Sequence, residues 1–151
     1  MAEEKPRILI TGASGFTGMH ACAYFADHGY EVFGLARKKQ FIDGCIQVTT
    51  CDLTDLALVE ETVKEIVPDQ VLHLAGQNSV AKSWENPGNY LHANVLGTVN
   101  LLEGIRAYSP AARVLVAGSM LQEPITEPAS HPYSLSKTMQ MLVARTWEQL
   151  F

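Results

Sequence analysis

The stretch Arg7-Ile8-Leu9-Ile10-Thr11-Gly12-Ala13-Ser14-Gly15-Phe16-Thr17-Gly18 decides the fold of this chain. An apolar run leads into a glycine-rich turn, and apolar residues then recur at helical spacing until Gly29 ends the pattern. This pattern predicts a strand, a tight turn and a helix. Glycines let a ligand approach the backbone closely, and the amides that open a helix attract anions. We therefore predict that the turn binds the pyrophosphate of a dinucleotide.

The rest of the chain continues the alternation of strands and helices. Further strands are predicted at residues 31–36, 45–49, 70–75 and 113–118, and further helices at 56–66, from Asn86-Pro87 onward, and at 135–150. Such alternation predicts a parallel sheet covered on both faces, in a three-layer α/β/α, Rossmann-type, doubly wound arrangement. The second and third strands are separated by fewer residues than a parallel crossover usually needs, so we expect an irregular loop there.

Composition limits the classes of partner. A chain of 151 residues predicts a single domain over residues 1–151. The net charge of −5, without a run of Lys or Arg, gives no attraction to nucleic acid or to anionic lipid. No stretch is long and apolar enough to span a bilayer, and the charged residues 1–7 are unlike a signal peptide. We expect neither a nucleic-acid nor a membrane partner.

The number and spacing of the cysteines and histidines indicate the cellular compartment of the protein and whether it binds a metal. The three cysteines are an odd number without a Cys-x-x-Cys spacing, and the five histidines show no ligand spacing. We therefore expect no metal site. A reducing, cytoplasmic location fits this cysteine pattern best.

The end of the second predicted strand bears on the choice of cofactor. A fold that binds NAD usually places an Asp or Glu there to meet the ribose hydroxyls, whereas this chain has Arg37 and Lys38. Arg37 could make bidentate hydrogen bonds to a ribose phosphate, and Lys38 could add a second positive charge. The sequence therefore favours NADP over NAD, and a solvated basic loop is the alternative.

A tyrosine and a lysine four residues apart are the candidate catalytic pair. In a helix this spacing brings Tyr133 and Lys137 onto one face. A lone tyrosine is a poor acid or base at neutral pH, but a nearby cation favours its phenolate. The alternative is a chance pair on a helix surface.

Together these motifs resemble the extended short-chain dehydrogenase/reductase family, also called the NAD-dependent epimerase/dehydratases. The resemblance covers essentially the whole chain and rests on Gly12, Gly15 and Gly18, Asp52-Leu53, His73-Leu74-Ala75-Gly76, Asn94 with Gly97-Thr98, and Tyr133 with Lys137. Residues 77–87 are most similar to the branch containing GDP-mannose dehydratases and GDP-keto-deoxyhexose reductases.

The resemblance implies a role for each matching position. The adenine would meet Asp52 and Leu53, and a substrate would reach Ser79 and Trp84. Asn94 is expected to be mainly structural. The remaining cofactor contacts would come from Gly12, Ser14, Gly15, Phe16, Thr17, Gly18, Leu74, Ala75, Gly76, Tyr133 and Lys137.

The family also places a Ser or Thr after the fifth strand, where its hydroxyl bonds the reacting oxygen. The best alignment puts Met120 at that position and Ser119 one place early, so Ser119 is the candidate. Dehydratases of the family add an acidic pair after the hydroxyl residue, whereas this chain has Leu121 and Gln122. Reduction or epimerisation is therefore favoured over dehydration.

The resemblance thus implies an oxidoreductase or epimerase acting on a nucleotide sugar, expected to be a homodimer, and Arg37 favours NADP as its cofactor. The sequence stops after the helix bearing Tyr133 and Lys137, so the last strands and the C-terminal substrate lobe of the family are expected to be absent. Two alternatives stay open. One is a non-catalytic dinucleotide-binding module, and the other is a scaffold whose fifth strand pairs with a second copy.

Overall fold

Five parallel strands form the central sheet. The computed structural model describes residues 5–151, so residues 1–4 of the charged start lie outside the described residues. The strands are β1 (Arg7–Thr11), β2 (Glu31–Ala36), β3 (Gln47–Thr50), β4 (Gln70–His73) and β5 (Arg113–Val116). They pair in the order β3-β2-β1-β4-β5, each neighbour parallel to the next. The predicted doubly wound parallel sheet is confirmed.

Within residues 5–151, six helices and one π-helical turn accompany the strands. They are α1 (Phe16–Asp27), α2 (Leu56–Ile66), α3 (Val80–Glu85), α4 (Pro87–Leu91), α5 (Gly97–Tyr108) and α6 (Pro132–Leu150), with the π-helical turn at His92–Leu96. The side chain of Asn86 accepts a hydrogen bond from the Asn89 amide, so the predicted helix start at Asn86-Pro87 is confirmed. The sequence did not predict α3 or the π-helical turn.

The core lies on both faces of the sheet because successive residues of β1 point to opposite sides. Ile8 and Ile10 pack with Cys22 of α1, whereas Leu9 packs with Val63 of α2 and with residues of α5. Burying one such aliphatic side chain contributes roughly 1.5–3 kcal/mol. The three-layer arrangement follows from these two clusters.

The connection between β2 and β3 is an irregular loop, as predicted. Residues 37–46 contain no helix. The amide of Cys45 donates to the carbonyl of Ile42 at 3.2 Å, and Gly44 has a φ of 82°. Because this turn closes at Cys45, β3 begins at Gln47 and not at the predicted residue 45.

The apolar residues that recur at helical spacing in α1 and α6 do not form the buried faces of these helices. Phe16 and Met19 of α1 are exposed, and its buried residues are Gly18 and Cys22. On α6 the apolar residues Leu135, Met139, Leu142 and Leu150 are exposed, whereas Tyr133, Ser134, Ser136, Lys137 and Gln140 are buried. The inward face of α6 is therefore mostly polar, and it makes hydrogen bonds with Asn94 of the π-helical turn, Thr98 of α5 and the Ala117 carbonyl after β5.

Candidate cofactor and active site

A cleft opens where the strand order reverses, at the carboxyl ends of the strands around β1. It has a volume of about 540 Å³. Ligands of doubly wound sheets bind at this reversal point. Its lining includes the predicted cofactor residues Gly12, Ser14, Gly15, Phe16, Thr17, Gly18, Arg37, Asp52, Leu53, Leu74, Ala75 and Gly76. Lys38 is exposed on the adjoining loop and does not line the cleft.

The glycine turn is shaped by close backbone approach. Gly12 has a φ of 68°, and a Cβ there would lie 2.8 Å from the amide nitrogen of Ala75. A Cβ at Gly18 would lie 2.8 Å from the Cα of Ala13. The amide of Gly15 donates to the carbonyl of Gly12 at 2.9 Å and closes the turn. Larger residues would displace the backbone from the cleft wall.

The start of α1 offers amide donors to this cleft. No side chain caps the helix at Gly15, and the amide of Met19 is the first to bond back, to the Gly15 carbonyl at 2.9 Å. The amides of Phe16, Thr17 and Gly18 precede that bond, and all three residues line the cleft. An anion placed here would meet free donors and the positive end of the helix dipole.

The opposite end of the cleft carries Arg37 and Asp52. One carboxylate oxygen of Asp52 accepts hydrogen bonds from the Thr54 amide at 2.9 Å and from the Thr54 hydroxyl at 2.8 Å. These bonds, together with the charge of Arg37, hold the pKa of Asp52 below its usual value. The carboxylate is therefore ionised at neutral pH, beside an exposed guanidinium.

The predicted catalytic residues meet at the end of β5. The Tyr133 hydroxyl donates to the Ser119 hydroxyl oxygen at 3.2 Å, and the Lys137 ammonium donates to the Ala117 carbonyl at 2.7 Å. Tyr133 and Lys137 are each 8% exposed. Because β5 is parallel to β4 and β1, these side chains lie at the same edge of the sheet as the glycine turn.

The structure brings Ser119, and not Met120, to Tyr133. Met120 is fully exposed. The amide of Ser119 donates to the Gln122 side-chain oxygen at 3.1 Å, and its hydroxyl oxygen accepts from the Leu121 amide at 3.1 Å. These bonds fix the loop so that a hydroxyl faces the tyrosine despite the one-residue offset in the alignment.

Of the two predicted substrate residues, Ser79 directly precedes α3 and Trp84 lies within it, and neither lines the cleft. The Ser79 hydroxyl oxygen caps α3 by accepting from the Lys82 amide at 3.3 Å, and the Ser79 carbonyl accepts from the Tyr90 hydroxyl at 2.7 Å. Trp84 is 61% exposed. Ser79 therefore caps α3 and bonds Tyr90, and the exposed side chain of Trp84 can contact a ligand.

Asn94 lies in the π-helical turn and has the structural surroundings expected of it. Its side chain is fully buried, accepts from the Gln77 amide at 2.7 Å and donates to the Gln77 carbonyl at 3.0 Å. It also donates to the Ser136 hydroxyl at 2.9 Å. These bonds tie the segment after β4, which lines the cleft, to α6.

Sequence reasoning missed a buried polar chain beneath the site. His73 lies between the hydroxyls of Thr11, at 2.6 Å from Nδ1, and Thr98, at 2.8 Å from Nε2. Thr98 donates to the Asn94 carbonyl and accepts from the Gln140 side-chain nitrogen at 2.8 Å. A strand histidine, a helix threonine and a helix glutamine carry no joint sequence signal, since only the fold brings them together.

Acidification is expected to destabilise the fold through His73. Burial lowers the pKa of His73 from 6.5 to about 3. Between these values the unfolded chain binds a proton that the folded chain does not, so stability falls as pH falls. The loss from this group is about 2 kcal/mol between pH 7 and pH 5.

Urea unfolding at pH 7 and pH 5 measures this loss, with the exposed His20→Gln as the control and His73→Gln as the test. His20→Gln should keep the full pH dependence, whereas His73→Gln should lose about 2 kcal/mol of it. Equal pH dependence in the two variants would contradict the assignment.

Neither a metal cluster nor a membrane span is found in the described part of the chain. Within residues 5–151, no three His, Cys, Asp or Glu side chains are grouped to hold a metal ion. No helix of that range combines the length and the apolar character that crossing a membrane requires.

Comparison with known proteins agrees with the geometry of the cleft. Residues 8–151 match the NAD dependent epimerase/dehydratase family. The chain belongs to this family. The resemblance inferred from the glycine turn and the Tyr133 motif is therefore confirmed.

Individual relatives of this family member include epimerases and a dehydratase. The chain is 32% identical to UDP-glucuronate 4-epimerase 2 of Arabidopsis thaliana over 125 residues, which cover 74% of this chain and 29% of that protein. It is 30% identical to a GDP-mannose 4,6-dehydratase of Sordaria araneosa, with 95% of this chain and 30% of that protein covered.

A solved structure extends the comparison to three dimensions. The UDP-glucose 4-epimerase of Thermus thermophilus, in complex with NAD, superposes with a TM-score of 0.82 at 30% identity. The match covers 95% of this chain and 51% of that one. The family member described here thus spans about half the length of that relative, and less of the two others.

Proposed function

We propose that residues 1–151 are the NAD(P)-binding domain of an oxidoreductase or epimerase that acts on a nucleotide sugar by hydride transfer. The observation that carries this proposal is the shared sheet edge of the glycine-lined cleft and the Tyr133–Ser119 pair. An epimerase or reductase of this family needs a dinucleotide and a proton-transfer group side by side. The nucleotide-sugar relatives supply the substrate class.

A dinucleotide fits the groups that this cleft presents. The cradle of Gly12 and Gly18 would be filled by any Cβ, and the amides of Phe16 and Thr17 offer donors to a pyrophosphate. The adenosine would lie toward Asp52 and Leu53, at the ends of the outer strands. Leu74, Ala75 and Gly76 would flank the remainder of the cofactor.

The chemistry divides between the cofactor and this chain. A bound nicotinamide supplies or accepts the hydride. The Tyr133 hydroxyl exchanges the proton with the substrate oxygen, and the Ser119 hydroxyl donates a hydrogen bond to the same oxygen. The Lys137 ammonium donates two hydrogen bonds within the protein, to the Ala117 carbonyl and to the Gln140 side-chain oxygen. Its third N–H group would donate to a ribose hydroxyl of the cofactor.

Reduction or epimerisation fits this site better than dehydration. Elimination of water needs an acid and a base beside the tyrosine. At the two positions after Met120, where the alignment puts the acidic pair of the dehydratases, this chain has Leu121, which is exposed, and Gln122, whose side chain accepts from the Ser119 amide. Neither side chain can transfer a proton in an elimination.

We further propose that NADP is preferred to NAD, because Arg37 lines the cleft where a ribose phosphate would sit. Arg37→Met is expected to raise the Kd for NADPH about tenfold or more and to change the Kd for NADH less than about twofold. Fluorescence titration of the chain with both cofactors measures this, with Lys39→Met as the control. Tighter binding of NADH than of NADPH to the unaltered chain would overturn the preference.

A non-catalytic dinucleotide-binding module is the second candidate. The observation that favours it is that Met120, which has no hydroxyl, stands where alignment to the family puts the residue that bonds the reacting oxygen. Titration followed by a nicotinamide oxidation assay with keto-sugar nucleotides separates the two. Binding without turnover supports the module, and no binding of either cofactor contradicts both candidates.

A homodimer in the cytoplasm completes the proposal. The exposed apolar face of α6, formed by Leu135, Met139 and Leu142, supports association with a second copy. The free thiols of the three cysteines support a reducing compartment. Analytical ultracentrifugation measures the mass in solution, and a monomer at all concentrations would contradict the dimer.

A further inference from the structure

We propose that Gln140 is a positioning residue that holds the Lys137 ammonium in place at the sheet edge that carries the cleft. This inference rests on the proposed function, because it assigns Lys137 to the cofactor. Gln140 lies one helical turn after Lys137 on α6 and is 1% exposed. Its side-chain oxygen accepts from the Lys137 ammonium, and its side-chain nitrogen donates to the Thr98 hydroxyl oxygen at 2.8 Å.

The orientation of the Gln140 amide follows from its neighbours. Thr98 donates its hydroxyl proton to the Asn94 carbonyl at 2.7 Å, so its oxygen can only accept from Gln140 and His73. His73 therefore carries its proton on Nε2, and Nδ1 accepts from the Thr11 hydroxyl. This order leaves the Gln140 oxygen facing Lys137, and a flipped amide would set donor against donor.

This chain of bonds runs from the cofactor loop to the lysine. Thr11 lies at the end of this chain that is remote from Lys137, and it directly precedes Gly12. Its hydroxyl oxygen also accepts from the Ala75 amide at 3.1 Å. One continuous set of buried hydrogen bonds thus links the end of β1, the end of β4, α5 and α6. Partly satisfied networks of this kind are costly, so a fully satisfied one fixes its members in one arrangement.

The ammonium of Lys137 depends on neutral acceptors. Burial lowers the pKa of Lys137. The titratable groups that face it are His73 on β4, which is neutral because burial lowers its pKa to about 3, and Tyr133 on α6 itself. The Ala117 carbonyl and the Gln140 oxygen are the acceptors of the charged form. Removing one acceptor favours the neutral amine.

Two substitutions test this contact. Gln140→Met keeps a side chain of similar volume but removes the oxygen that accepts from Lys137, and Gln140→Glu replaces the amide with a carboxylate. Two readouts apply to the 151-residue chain, namely the pH titration of the Lys137 ¹³Cε signal without cofactor, and the Kd for NADPH at pH 6 and pH 9. Gln149→Met, at an exposed position of the same helix, is the control.

Gln140→Met should shift the Lys137 titration to lower pH, and Gln140→Glu should shift it to higher pH. The methionine variant should also raise the Kd for NADPH about tenfold at pH 9 and less than about threefold at pH 6. If Gln140→Met does not fold, the upward shift in Gln140→Glu still tests the contact. A Lys137 titration unchanged in the folded variants would overturn the proposal.

The titration arm needs no cofactor. A chain that binds no NADPH would therefore contradict the proposed function while the ¹³Cε measurement still decides the role of Gln140. Normal NADPH binding with an unmoved Lys137 signal in both variants would contradict the role of Gln140 alone.

Discussion

Gly12→Ala is expected to weaken NADPH binding about a hundredfold and to lower the free energy of unfolding by about 3 kcal/mol. Two effects combine at this position. The backbone has a φ of 68°, which L residues rarely adopt, and the new Cβ would lie 2.8 Å from the Ala75 amide nitrogen. Relief of that clash must move the turn away from the strand end that forms the cleft wall.

Gly29→Ala is the matched control for this substitution. Its φ of 86° also requires a left-handed backbone, but nothing lies within 4 Å of the added Cβ. Backbone strain alone should cost about 1 kcal/mol and leave the Kd for NADPH unchanged. Urea unfolding and fluorescence titration compare the two variants. Equal effects of the two substitutions would mean that close packing against Ala75 does not matter.

Tyr133→Phe is expected to reduce turnover about 10²- to 10⁴-fold while the Kd for NADPH changes less than about threefold. The substitution removes the proton-transfer group and keeps the ring that packs against Tyr90 and His131. In the fold it breaks the hydrogen bond to Ser119, and so costs about 1 kcal/mol of stability.

Oxidation of NADPH in the presence of keto-sugar nucleotides measures the turnover of this variant. Tyr108→Phe, at the end of α5 and remote from Ser119, controls for the loss of a phenol. Retention of more than about a tenth of the activity in Tyr133→Phe would remove the tyrosine from the chemistry.

The arrangement of the sheet could be predicted from sequence because its determinants are local or follow general topological rules. The apolar run before Gly12, the helix after it and the repeated alternation leave few possible folds once crossovers are right-handed. The irregular link after β2 could be predicted from its length alone. The glycine turn was predictable for the same reason, since a strand, a tight turn and a helix are contiguous in the chain.

The orientation of α6 could not be predicted from its apolar stripe. Leu135, Met139 and Leu142 form a regular face, yet they lie outward, and Tyr133 and Gln140 lie inward. Periodicity identifies an apolar face but does not say what covers it. Here the inward face makes hydrogen bonds to the π-helical turn, to α5 and to the Ala117 carbonyl after β5, and these partners are distant in sequence.

The hydroxyl beside Tyr133 shows a different limit of sequence reasoning. Alignment to the family places Met120 at that position. A sequence alignment matches positions along the chain, but it carries no information on the conformation of the loop. The Gln122 side chain bonds the Ser119 amide and turns the loop so that Ser119 meets the tyrosine. Short-range bonds within residues 117–122 thus decide which residue reaches the site.

Binding of the dinucleotide at the start of α1 can be measured directly by amide NMR during titration of the ¹⁵N-labelled chain with NADPH. The amide signals of Gly15, Phe16 and Thr17 should shift in a saturable manner, together with those of Ala75 and Gly76. Saturation without movement of these signals, or no change anywhere at millimolar NADPH and NADH, would contradict a cofactor site in the glycine-lined cleft.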